Sequence, residues 1–512
     1  MNQTSGSATI LGHPRGLFIC FLTEMWERFS FYGMKFLLVL YLTKYHLFTD
    51  EQGLDVLGAY AGLVYALPVI GGMLADRFLG MRKAVLFGGI LLVAGHLGMA
   101  FEGHQASMVN GVVEQDLFAL KVFYFSLALI IVGVGFLKPN ISTIVGKLYP
   151  ENDPRRDSGF TIFYMGINIG SFLATVLCGW LGETYGWGYG FGLAGIGMVI
   201  GLITFIWGQK YLEGHAEPPN PEMLREKVLA GINREAIIYA LAILSLGVIW
   251  LLVQHNPVVH TTLNVMFFAF LAWFLWFVIT KCNKVERDRM IVLSLLTVFS
   301  VVFWALFEQS SASMTLFADR VVDRTVVGNW QLTAVQTASL NAMFIFLLAP
   351  FFAWLWTFLS KKKLEPNTIA KFGLGILQVG LGFGALVIGA NAPDEAGKVG
   401  LIWLVLAYLL HTTGELCLSP VGLSAVTKLS VGRVVGVMMG FWFFATAYSE
   451  LVAAQIAKIA AIDTEGGIVT DIGAALVTYS GFFTQLLYIG GGFGIVVLIL
   501  SPFLRRLTHG VH

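Results

Sequence analysis

The sequence predicts an all-α integral membrane protein with fourteen transmembrane helices, and three observations carry that prediction. The first is composition: of 512 residues, 57% are apolar and only 12% charged, against about 25% charged in soluble domains. A soluble fold with so few charges could not cover itself with polar groups, which excludes a cytosolic enzyme and a disordered chain alike. The second is a series of apolar runs, each long enough for the roughly 20 residues that a spanning helix needs. The third is the distribution of Lys and Arg among the loops, which alternates from side to side. A net charge of +1 offers no basic face, so no nucleic-acid partner is expected.

Apolar runs lie near residues 16–43, 54–76, 84–101, 117–147, 158–183 and 188–211, then 236–254 and 262–281. Six more follow near 290–317, 335–359, 368–390, 399–426, 434–460 and 478–504. None shows the ten-residue alternation of an outer-membrane barrel. One set of loops collects Arg15, Arg77, Arg82, Lys83, Arg155, Arg156, Lys210, Arg225, Arg234, Lys284, Arg289, Lys361, Lys371, Lys428 and Arg505, while the opposite set holds only a handful, such as Lys44, Arg320, Arg324 and Lys398. Both termini are therefore expected in the cytoplasm. The first run is too long for a signal-peptide core and lacks a small-residue cleavage site. Cys20, Cys178, Cys282 and Cys417 are scattered in or beside apolar runs, so neither a disulfide framework nor a metal site is indicated.

The stretch 212–235 is the one long polar insert, Pro-containing and mixed in charge, and reads as a cytoplasmic linker. It divides the chain into a six-helix bundle at 1–211, the linker with an extra helix pair at 212–289, and a second six-helix bundle at 290–512. Two such bundles are what the major facilitator fold has, with the substrate site near mid-membrane. The segment from Gly72 through Asp76, Arg77, Gly80 and Arg82 to Lys83 resembles that superfamily's GxxxDRxxGxR loop.

Ionisable groups inside spans are costly, and each is a functional hypothesis. The first span carries Glu24, Glu27, Arg28 and Lys35. At about 100° per residue these and Tyr32 share a stripe about 140° wide, which has to face protein or water. The fourth span has Lys138 beside Pro139, the span at 290–317 has Trp304 and Glu308 one turn apart, and the span at 399–426 has Glu415. The first bundle thus offers cations and the second anions, which suits a zwitterionic substrate. His96 and His411 could shuttle protons, but in apolar helices they read as packed core groups. The glycines at 490–494 read as a close helix contact.

Glu24-Met-Trp-Glu27-Arg28-Phe29-Ser-Phe31-Tyr32-Gly33 resembles the ExxERFxYYG signature of the proton-dependent oligopeptide transporter family (POT/PTR). Phe163-Tyr164-Met-Gly-Ile167-Asn168-Ile-Gly170, Phe136-Leu137-Lys138-Pro139-Asn140 and the run from Gly414 and Glu415 to Ser424 are similar to three further motifs of that family, in the same order. The extra helix pair and the short loop at 391–398 look like its prokaryotic branch. The resemblance implies proton-coupled uptake of di- and tripeptides by alternating access in a bacterial inner membrane, with no enzymatic step and no cofactor besides protons.

By the same resemblance Glu24, Glu27, Arg28 and Glu308 couple protons. Lys35 pairs with Glu308, and Lys138 with Glu415, as gates. Lys35 and Lys138 hold the peptide carboxylate and Glu415 the amine. Asn168 and Asn341 bond the peptide backbone, and Tyr32, Tyr65, Trp304 and Trp442 wall the side-chain pockets. Two positions depart from the pattern: Phe31 replaces a Tyr, removing a hydroxyl, and Lys35 replaces the Arg of many members, giving up two-point carboxylate binding. A monomer is expected. The rival reading is a transporter of the same architecture for another small anion such as nitrate, against which the paired Lys138 and Glu415 argue. An embedded enzyme or receptor would need a nucleophile constellation or a soluble sensory domain, and the sequence offers neither.

Overall fold

The computed structural model describes residues 9–150, 153–229, 231–418, 422–465 and 467–510. The chain is helical throughout, with five two-stranded ladders of two or three residues per strand in its loops. In order the helices are α1 Arg15–Leu40, α2 Asp50–Ala66, α3 Pro68–Leu74, α4 Met81–Met99, α5 Leu117–Lys147, α6 Arg156–Tyr185 and α7 Trp187–Gly208. A short α8 (Pro221–Arg225) precedes α9 Arg234–Gln254 and α10 Asn256–Lys281. Then come α11 Lys284–Phe307, α12 Ser313–Arg320, α13 Ser339–Lys361, α14 Thr368–Ala390, α15 Leu401–Leu418, α16 Gly422–Leu429, α17 Val435–Ala457 and α18 Ile472–Leu507.

Thirteen spans among the described residues are long and apolar enough to cross a membrane. α1 is 26 residues long and makes the fourteenth, although its charges lower its hydropathy. Among the described residues several expected spans are interrupted: the one at 54–76 passes from α2 to α3 at Leu67, and two others break further. The first ends in a wider turn at Tyr41–Tyr45. The span at 290–317 runs as α11, breaks into a tight turn at Glu308–Ser311, and resumes as α12 after Ala312, whose φ of −120° and ψ of −104° are not helical. A polar side chain explains the second break. Gln309 donates to the Ala453 carbonyl of α17 at 2.9 Å, and Ser313 donates back to Gln309 at 2.6 Å, so side chains replace the backbone ladder. Ser419, Pro420 and Val421 lie outside the described residues.

Several helices start on a side-chain cap that accepts backbone N–H groups. Asp116 accepts from Phe118 and Ala119 at 3.0 Å each, and these backbone donors, Ala119 foremost, hold its carboxyl below the usual carboxylate range. Asn283 and Glu286 form a reciprocal capping box at α11, which fixes the start of that helix among charges.

The helices pack into two compact units. The first comprises the chain to Leu38 with Leu63–His255; the second comprises Val39–Gly62 with the chain from Asn256 onward. In the first unit α4 lies along α5 and α7, α6 along α7, and α9 against α5. The linker is tied to the loop motif of this unit. Arg82 bonds both Glu217 oxygens, at 2.6 and 3.0 Å, and Gln209 at 2.8 Å, while Lys83 reaches Glu235 at 2.6 Å. Asp76 and Arg77 of the same motif stay exposed. In the second unit α14 packs on α15 and α18, and α11 on α17.

The glycines at 490–494 do form a close helix contact. A methyl on Gly490 of α18 would sit 2.6 Å from Gly380 Cα of α14, and one on Gly380 would sit 2.5 Å from the Gly491 nitrogen. Small residues let backbones meet this closely in membranes, where packing replaces the hydrophobic drive. Gly380→Ala is therefore expected to destabilise the protein by about 1–3 kcal/mol, the usual scale of overpacking. Thermal unfolding of the detergent-purified variant checks this, and an unchanged midpoint would contradict the contact.

Candidate functional site

In the first unit the buried charges gather on α1. Glu24, Glu27, Arg28 and Lys35 are at most 3% exposed, so the stripe is enclosed by protein. Arg28 Nη2 donates to Glu27 Oε1 at 2.6 Å and its Nε to Glu27 Oε2, the parallel pair of bonds a planar guanidinium offers a carboxylate. One turn earlier Glu24 Oε1 stands 3.3 Å from the same Nε. Glu24 Oε2 is buried with no hydrogen-bond partner among the described residues.

Phe31 explains how the cations are accommodated. Its ring is 1% exposed and lies 4.8 Å from the Arg28 guanidinium and 5.9 Å from both Lys35 Nζ and Lys138 Nζ. Lys138 also stands 4.0 Å over the Tyr65 ring, and Lys35 at 5.9 Å. An aromatic face within about 6 Å of a cation attracts it. Tyr32 and Tyr65 meet Phe31 edge-on at 5.2 and 6.2 Å. The departure at Phe31 thus keeps the platform and drops only the hydroxyl. Arg28, Lys35 and Lys138 thus share one aromatic face.

Local sequence sets this geometry. Pro139 removes a backbone donor from α5 next to Lys138, yet the helix continues. The Asn140 amide donates to the Phe136 carbonyl at 2.7 Å, an extra bond in the weakened turn. On α6 a methyl at Gly170 would sit 2.2 Å from the Met25 carbonyl oxygen and 3.1 Å from Arg28 Cβ, so that glycine lets α6 close over the α1 charges. Asn168, two residues earlier, is half-buried and gives its amide to the Tyr164 carbonyl of its own helix at 3.2 Å. It does not join the charge cluster.

In the second unit Glu308 opens the break after α11, with Trp304 one turn before it. Trp304 meets Phe303 and Phe307 edge-on at 5.1 and 5.4 Å. Asn341 of α13 donates through its amide nitrogen to Glu415 Oε2 and to Thr412 Oγ1 of α15, each at 3.0 Å. Trp442 lies in α17, 9% exposed. Each expected gate pair takes one residue from each unit. His96 and His411 are 1% exposed; His411 packs on Phe383 at 4.8 Å.

Sequence reasoning missed Thr412, whose signal was its place three residues before Glu415, and a set of ion pairs in the second unit. Arg320 binds Asp50 at 2.5 and 2.6 Å, Lys44 binds Asp319 at 2.8 Å, and Lys458 binds Asp55 at 2.5 Å. They fasten the segment Val39–Gly62 to the rest of its unit. Lys44 and Arg320 were exceptions to the loop-charge pattern, and that anomaly was the available clue.

Helices of this number and length, with ionisable groups enclosed within them, define a membrane transporter of the major facilitator type. The POT family model matches residues 82–471, and the chain belongs to the POT family. It is 38% identical over 510 residues to the uncharacterized transporter YclF of Bacillus subtilis, covering 98% of this chain and 96% of that one. It is 38% identical over 475 residues to the peptide transporter YePEPT of Yersinia enterocolitica, covering 89% of each. A crystal structure of a POT peptide transporter mutant in complex with alafosfalin matches it with a TM-score of 0.82 at 35% identity, over 98% of each chain.

Removing the aromatic face shared by three cations tests the cluster. Phe31→Leu is expected to lower stability by about 1–2 kcal/mol, the range of desolvated cation–π contacts, while Phe31→Tyr stays close to the parent. Melting midpoints in detergent decide it, and equal midpoints for the Leu and Tyr variants would remove the platform role.

Proposed function

We propose that the chain is a proton-coupled symporter that takes up di- and tripeptides by alternating access. It would act as a monomer in the inner membrane of a bacterial cell, with both termini in the cytoplasm and protons as its only coupling species. The observation that carries the reading is the split of charge between the units. The first gathers Arg28, Lys35 and Lys138 around the Phe31 ring, and the second presents Glu415 on an ordered amide. Those are complements to the two ends of a zwitterion. Relatives bearing the name of peptide transporters, and a solved relative holding alafosfalin, support it.

In this reading Lys35 and Lys138 take the peptide carboxylate and Glu415 the ammonium. Asn168 and Asn341 bond the backbone, and Tyr32, Tyr65, Trp304 and Trp442 bound the side chains. Lys35 with Glu308, and Lys138 with Glu415, make and break as gates. Coupling follows from charge balance. A proton on the open oxygen of Glu24 removes one negative charge from beside Arg28, and an arriving carboxylate restores one. Each therefore favours the other's binding, reciprocally. One proton moving down about 100 mV supplies about 2.3 kcal/mol, enough for accumulation by tens of fold.

Uptake of labelled dialanine into proteoliposomes, with and without an inward proton gradient, tests the function; gradient-independent uptake or none would refute it. Glu24→Gln and Glu27→Gln should each stop gradient-driven accumulation yet spare peptide counterflow, which needs no net proton movement. Accumulation surviving in both would show that the coupling residues lie elsewhere. N-acetyl-dialanine keeps the carboxylate but lacks the ammonium, so it should compete poorly. Glu415→Gln should narrow its gap to free dialanine. Equal competition by both peptides in the parent protein would remove Glu415 from the site and favour a simple anion such as nitrate as substrate.

A further inference from the structure

The hydrogen bonds around Glu415 have a fixed polarity. Thr412 is 0% exposed, and its hydroxyl donates to the Tyr408 carbonyl at 2.7 Å. A hydroxyl owns one proton. With that proton committed, Thr412 Oγ1 can only accept, and what it accepts is an N–H of Asn341 at 3.0 Å. The other N–H of the same amide goes to Glu415 Oε2. Both amide protons are used, and no donor among the described residues reaches Asn341 Oδ1. Turned the other way, the amide would aim its oxygen at two acceptors.

We propose that Thr412 is a positioning residue for substrate recognition, locking the Asn341 amide so that it shows its carbonyl oxygen, and no donor, to the amine end of a bound peptide. The proposal rests on the peptide reading above. Glu415 can hold the amide only while it is itself an acceptor; once it carries a proton it can donate as well. Thr412 has no such freedom, because the Tyr408 carbonyl keeps its proton occupied. The two side chains then divide the recognition of an ammonium. Glu415 answers its charge, and Asn341 Oδ1 requires an N–H. A quaternary ammonium satisfies the first and fails the second.

The experiment uses the full chain in proteoliposomes, with labelled dialanine competed by unlabelled dialanine or by its N,N,N-trimethyl analogue. The parent protein is expected to prefer dialanine by about tenfold or more, the scale of a hydrogen bond to a charged group. Thr412→Val should raise the KM for dialanine with little change in maximal rate, and should shrink the preference to within a few fold. Thr412→Ser keeps the hydroxyl and should retain both. A preference unchanged in Thr412→Val, or lost equally in Thr412→Ser, would overturn the proposal, since a packing role would weaken both ligands alike. Should Thr412→Val not reach the membrane, Thr412→Ala and Thr412→Ser in detergent give the same comparison through ligand-induced shifts in melting midpoint. Absence of dialanine uptake by the parent chain is a different result: it refutes the peptide reading and this proposal with it.

Discussion

A guanidinium stays charged at every pH a cell reaches, and within a bilayer that charge has to be answered by protein. Arg28 is answered by Glu27 through two bonds and by Glu24 through one contact, and much of the first unit follows from this. α1 cannot face lipid along its charged stretch, and from Glu27 to Leu38 every residue except Tyr32 is buried. Gly170 lets α6 close over the cluster, and Phe31 offers its ring to Arg28, Lys35 and Lys138. An apolar helix here would need none of these arrangements.

The same chemistry serves two purposes in this molecule, and the oxygens tell them apart. Asp50 spends both carboxylate oxygens on Arg320, and one of them also accepts the Ile462 backbone N–H at 2.9 Å. That pair is closed, and breaking it would strand a buried charge at a cost of several kcal/mol. Glu24 keeps one oxygen open. A closed pair fixes a segment, whereas an open one can change its protonation without dismantling the fold. Glu415 stands between these cases, with one oxygen held by an amide whose own orientation is set from behind.

The spans, their order and the charge stripe of α1 were legible in the sequence because apolar length and helical periodicity are local properties. The residues of the charge cluster were legible too, through motifs, although composition alone would have passed over α1. What was not legible depends on contacts between distant segments. The break after Phe307 could not be read from an apolar run at 290–317, since it is held by Gln309 reaching α17. Arg320 looked like a stray loop cation until Asp50, 270 positions away, came beside it. Thr412 was an unremarked hydroxyl until the direction of its one proton was known.

The charged α1 also has a consequence for how the chain is made. α1 precedes the other long helices of the sequence, and Arg28 and Lys35 each resist insertion by about 2.5–3.5 kcal/mol at the helix centre. Glu24, Glu27 and Arg28 answer one another within α1, but Lys138 on α5 and the closing Gly170 on α6 lie more than a hundred residues downstream. The enclosure that α1 has in the folded protein is therefore complete only once α5 and α6 are in place. The shelter of this charged helix is thus built by helices that follow it in the chain.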